Sequence, residues 1–161
     1  MSKKKIFVSG FVIVVLIGTL FFAFSSKDVT SYEAVNNYDR DITIYKSGSC
    51  GCCDVYSSYF RSRGNPKTKT IDLESLQDVK KKYEVPAAME SCHTTIIGDY
   101  FIEGHIPLEA VNKLLTEKPN IKGIAMPGMP SGSPGMPGAK SGDFVIYAIN
   151  NDGSYIEWMR L

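Results

Sequence analysis

Basic charge is what this 161-residue sequence has least to spare: 18 Lys and Arg stand against 17 Asp and Glu. Four of the 18 cations (Lys3, Lys4, Lys5 and Lys27) come before residue 28, which leaves 14 against all 17 acids and a net charge near −3 for the remainder. No basic stripe is left, so the phosphate-neutralising surface that nucleic-acid binding requires is excluded. Histidine is scarce at two residues and cysteine at four. No cysteine lies near residue 25, so a lipid-attachment signal is missing as well. Charge of either sign is absent from Ile6 to Phe24.

That uncharged run is the first positive feature. At about 1.5 Å rise per residue it spans roughly 28 Å, close to the hydrocarbon thickness of a bilayer. The flanking Lys3, Lys4 and Lys5 belong on the cytoplasmic side, which puts the rest of the chain on the periplasmic or extracellular face. The sequence therefore predicts a membrane anchor over residues 1–27, a polar tether over 28–40 and a domain over 41–161. The alternative is a cleaved signal peptide and a secreted soluble product, with Ala23-Phe24-Ser25 as the cleavage site. Against it, the apolar run exceeds the roughly 7–15 residues usual for a signal peptide.

Within the domain the hydrophobic period switches repeatedly. Asp41–Lys46 alternates and is β-rich, so it reads as a first strand, broken by Gly48 and Ser49. Asp54–Arg63 reads as a helix stopped by Gly64, Thr68–Leu73 as a second strand, and Leu73–Tyr83 as a second helix stopped by Pro86. Thr94–Ile97 and Tyr100–Glu103 form a hairpin across Gly98-Asp99. Pro107 opens a third helix where its missing N–H costs nothing, with Leu108, Val111, Leu114 and Leu115 on the buried face. Residues 120–142 form a Met/Pro/Gly/Ser loop, followed by a hairpin pairing Phe144–Ile149 with Tyr155–Met159. The order β-α-β-α-β-β-α is that of an α/β, thioredoxin-like core, here with an added C-terminal β-hairpin and one preceding transmembrane helix.

In such a sheet the end of the first strand, the start of the third and the end of the fourth share one edge. Those three points carry Cys50-Gly-Cys52-Cys53, Cys92-His93 and His105, so every cysteine and both histidines converge. A helix N-terminus with its unpaired N–H groups favours thiolate over thiol. Cys50 and Cys53 have the C-x-x-C spacing of a dithiol redox pair, which keeps open a thiol–disulfide oxidoreductase using those two residues. Cys52 adds a sulfur that such an enzyme does not need.

Clustered thiolates collect soft metals, Cu(I) above all and zinc less well once Met126, Met129 and Met136 are counted, because thioethers suit Cu(I). The loop is long enough to bring those methionines across the domain at about 3.3 Å per residue. Two structural disulfides are the plain reading of four exported cysteines, with three pairings open. For His93 a capping role competes with ligation, for His105 ligation is favoured, and loop filler is the alternative for the methionines. The proline that shapes a thioredoxin peptide groove before the third strand is missing too, and Cys92-His93-Thr94 stands there.

Four stretches, Tyr45-Lys46-Ser-Gly-Ser-Cys50-Gly-Cys-Cys53, Ser91-Cys92-His93-Thr94, Glu103-Gly-His105-Ile-Pro107 and the methionine loop from Met126 to Met136, resemble in their order the CopG-type family of small exported metal-binding proteins. The resemblance covers residues 41–160. It implies a thioredoxin-like fold and a role in copper resistance, with copper oxidoreductase activity discussed for some members. It also implies sulfur ligation of copper by Cys50, Cys52, Cys53 and Cys92, with His105 and the loop methionines supporting. The expected partners are the membrane, through the N-terminal helix, and other copper-handling proteins.

Overall fold

A computed structural model describes residues 32–161. The apolar run 6–24 and the first part of the tether lie outside the described residues. Among the described residues no helix is long and apolar enough to cross a membrane.

The fold is mixed α/β, built on one seven-stranded sheet in the order β2-β1-β3-β4-β5-β6-β7. Strand β1 (Ile42–Ser47) buries every second residue, Ile42, Ile44 and Lys46, as the alternation of its sequence requires. It runs parallel to β2 (Lys69–Leu73) and antiparallel to β3 (His93–Ile97), and β3 pairs antiparallel with β4 (Tyr100–Glu103). The helices are α1 (Glu33–Asn36), α2 (Gly51–Tyr59), α3 (Gln77–Lys82) and α4 (Leu108–Glu117). The expected face of α4 is the buried one, with Leu108, Ala110, Val111, Leu114 and Leu115 turned inward. These residues join Ile44, Phe60, Ile97, Ile102, Ile124 and Ile146 in the main core.

Several boundaries differ from the sequence reading, each for a physical reason. Helix α2 begins at Gly51 rather than Asp54, with Cys50 as its N-cap, so the cysteine motif is the helix's first turn. Its far end widens through Phe60–Gly64, where the Asn65 N–H donates to the Phe60 carbonyl at 3.0 Å. Helix α3 is confined to Gln77–Lys82 instead of starting at Leu73, because Leu73 completes β2 opposite Ser47.

The loop 120–142 contains a strand, β5 (Gly123–Ala125), which pairs parallel with β4 and antiparallel with β6 (Val145–Ile149). The final hairpin of β6 and β7 (Tyr155–Arg160) thus extends the main sheet. Gly123 makes this possible: a Cβ there would lie 2.2 Å from the Phe101 carbonyl oxygen. The tether's described part is docked on the domain. Val35 is fully buried, Tyr32 Oη donates to Glu109 Oε1 at 2.8 Å, and the Ala34 N–H donates to Asn112 Oδ1 at 3.0 Å. One buried valine in a polar stretch has no period, which is why the sequence reads as a tether there.

Candidate metal centre

Strand register sets the centre. Lys46 pairs with His93 and Thr94 with Glu103, so the ends of β1, β3 and β4 meet at one edge above the first turn of α2. Cys50 caps that helix, and Cys52 and Cys53 occupy its first turn, where unpaired N–H groups stabilise negative sulfur. Lys46 fixes this turn to the sheet. Its buried ammonium bridges Asp54 of α2 and Asp72 of β2, both at 2.8 Å, and those two carboxylates raise its pKa.

Two donor sets result, Cys50–Cys52–Cys53–Cys92 and Cys53–Cys92–His93–His105. Within each set, the ligating atoms all lie within 4.8 Å of one another. The sets share Cys53 and Cys92. Cys50 and Cys53 are joined in a disulfide, and Cys52 and Cys92 remain thiols. Cys52 Sγ sits 3.4 Å from Cys50 Sγ, and Cys92 Sγ sits 3.0 Å from His105 Nε2 and 3.5 Å from His93 Nδ1. All six residues that the sequence analysis singled out as Cys or His candidates are therefore gathered.

Both imidazoles sit beside Cys92. His105 Nδ1 lies 2.7 Å from the Pro134 carbonyl, which can only accept, so Nδ1 carries the proton and Nε2 offers its lone pair toward Cys92. Gly104, at φ +85°, makes the turn that delivers His105; a Cβ there would meet the Met126 carbonyl oxygen and Ser91 Oγ at 2.8 Å each. His93 is fully buried, and its Nε2 has no hydrogen-bond partner, an absence shared among the described residues only by the buried Ser57 and Thr95 hydroxyls. A buried nitrogen without a partner is costly; the other ring nitrogen, Nδ1, is the one that faces Cys92 Sγ. Tyr56 packs its ring 4.3 Å from His93 and 5.5 Å from His105, centroid to centroid, and anchors its hydroxyl on the Ile106 carbonyl.

The methionines separate into three fates. Met126 is fully buried in the main core, where packing accounts for it. Met129 is 42% exposed. Met136 lines a shallow cleft together with Gly51, Cys52, Val55, Gly135 and Pro137. The loop is pinned at this point, since a Cβ on Gly135 would lie 2.7 Å from the Cys52 carbonyl oxygen. Its firmest link to the centre is the Pro134 carbonyl, which sequence reasoning missed because any residue offers one. Tyr56 was also missed, although its position three residues after Cys53 places it on the same helical face.

Burial, and then the nearby Cys52 sulfur, push the Cys92 thiol up to about 11. Burial, then His105 and Lys80, hold His93 well below the usual imidazole range, and burial lowers His105 too. Protons therefore compete with a metal more at the Cys92 sulfur than at the two imidazoles. Metal affinity should fall about tenfold per pH unit for each thiol proton displaced. His105→Ala should lower the affinity without changing that slope, which titrations between about pH 9 and pH 6 would check.

A family described as "Protein of unknown function, DUF411" matches residues 89–136, the span from the turn before Cys92 to Met136. No curated protein matches the sequence. Among solved structures, "Copper resistance protein copG- Form 1" superposes with a TM-score of 0.68 at 31% identity, over 75% of this chain and 96% of that one. The Form 2 structure gives a TM-score of 0.65 at 31% identity, over 75% and 97%.

Proposed function

Since this chain belongs to the CopG-type copper-resistance family, a copper-related role is its premise, and from it we propose an extracytoplasmic, membrane-tethered protein that holds Cu(I) for copper homeostasis. The observation that carries the reading is the gathering of four sulfurs and two imidazoles at one sheet edge. Cu(I) is the soft, low-coordinate ion that thiolate and neutral imidazole accept best, whereas a hard cation finds no carboxylate in either donor set. The primary ligands are drawn from Cys50, Cys52, Cys53 and Cys92, with His93 and His105 offering the alternative donors of the second set and Met136 at the mouth. The core is read as thioredoxin-like, on the strength of the β2-β1-β3-β4 order and its directions. Export is inferred from the apolar run 6–24 and its basic flank.

The reduced full-length chain should take Cu(I) from a competing chelator and develop thiolate-to-copper charge-transfer absorption, while Zn(II) is displaced. Failure to compete at any chelator concentration would remove the copper reading. The methionines divide by the same assay: Met126→Leu and Met129→Leu leave the affinity unchanged, and Met136→Leu weakens it, most visibly in acid where a thioether has no proton to gain.

A second reading, thiol–disulfide oxidoreductase, is favoured by the Cys50–Cys53 bond at a helix N-terminus. The two readings part at Cys52. A dithiol enzyme would reduce insulin rapidly and ignore Cys52→Ser. A copper protein should be slow in that assay and lose metal affinity when Cys52 is changed.

A further inference from the structure

Behind the centre lies a buried ion pair that copper ligation itself does not use. Lys80 and Glu103 are both buried and contact each other directly. Glu103 Oε1 accepts the Ser91 N–H at 2.6 Å, Glu103 Oε2 accepts the Thr94 hydroxyl at 2.6 Å, and Lys80 Nζ donates to the Ser91 carbonyl at 2.9 Å. Ser91 is thus held at both its amide and its carbonyl, and Thr94 at its side chain. Cys92 and His93 are the two residues between them. Glu103 itself stands two residues before His105, and the intervening Gly104 N–H donates to the His93 carbonyl at 3.0 Å.

We infer that the Lys80–Glu103 pair is the positioning element of the copper centre, clamping the Ser91–Thr94 segment so that Cys92 and His93 face His105. The inference rests on the copper reading above. A buried ion pair contributes little to folding that a well-packed apolar pair does not. Here, however, both charges are aimed at the backbone and side chains that bracket two ligands. The placement of the bonds marks a site support rather than a core filler. Cys92 and His93 lead into β3 and His105 follows β4; the two strands pair directly, and Glu103 at the end of β4 adds its side-chain bonds to Ser91 and Thr94.

The test uses the full-length chain with Lys80 and Glu103 replaced together by Lys80→Met/Glu103→Gln, so that no lone charge is left buried. Cu(I) affinity should fall about 10–100-fold, the range for outer-shell partners of metal ligands, and the charge-transfer band should shift, while unfolding stays cooperative. A second readout needs no metal. In a Cys52→Ser background with the Cys50–Cys53 disulfide closed, Cys92 is the single thiol, and its maleimide labelling should be severalfold faster once the pair is removed. Unchanged labelling overturns the clamp whatever copper does, and faster labelling with unchanged affinity overturns its role at the centre. If the double variant unfolds without cooperativity, Thr94→Val removes one bond to Glu103 at similar shape; weaker copper binding then supports the clamp and wild-type binding overturns it. Should the wild-type chain take no Cu(I), the copper reading fails while the labelling rate still decides the clamp.

Discussion

Replacing Cys92 by serine should lower Cu(I) affinity by at least about a hundredfold, the upper range already seen for residues that merely support metal ligands. Cys92 belongs to both donor sets and touches both imidazoles, His105 Nε2 at 3.0 Å and His93 Nδ1 at 3.5 Å. Serine occupies nearly the same volume but offers a hard oxygen that Cu(I) does not favour. Burial keeps the native side chain a neutral thiol, so a neutral hydroxyl in its place should leave the unfolding midpoint close to wild type. Cys53→Ser should cost copper affinity as heavily, since Cys53 is the other residue shared by both sets. Competition titrations with the reduced chain, read beside thermal melts, separate loss of the ligand from loss of the fold. Wild-type copper affinity in both variants would mean that the sulfurs are not the site.

The second large effect is redox-linked. In the disulfide form, Cys50 and Cys53 cannot act as thiolates, and Cys52 and Cys92 are the thiols that remain beside the histidines. Copper should therefore bind the reduced chain far more tightly than the oxidised one. Linkage makes the effect reciprocal: whatever factor reduction adds to Cu(I) affinity, Cu(I) adds to the ease of reducing the disulfide. Each factor of ten corresponds to about 30 mV for a two-electron couple. A ratio of about ten thousand would thus raise the Cys50–Cys53 potential by about 120 mV when Cu(I) is present. Equilibration with thiol buffers, with and without Cu(I), measures the shift directly. An unchanged potential would place copper away from this pair.

What the sequence made legible was the part of the fold carried by period and spacing. The alternation of Ile42 and Ile44, the helical face of Leu108, Val111 and Leu114, and the turn at Gly98 were enough to order the strands, and strand order alone brings Cys50–Cys53, Cys92 and His105 to one edge. What it hid depends on backbone approach and on paired charge. Strand β5 is three residues long and hinges on a glycine against the Phe101 carbonyl, with no pattern to betray it. No period marks Lys46, Lys80 and Glu103 as buried, yet all three are, because their partners, Asp54, Asp72, Ser91 and Thr94, lie elsewhere in the chain. Met126 looked like its loop neighbours but directly follows β5, and that places it in the core.

The most direct test of the central claim is X-ray absorption at the copper edge on the reduced, Cu(I)-loaded full-length chain. The account predicts a sulfur-dominated shell with an imidazole contribution that His93→Ala and His105→Ala diminish. A shell of oxygen and nitrogen alone, unchanged by Cys92→Ser, would contradict it.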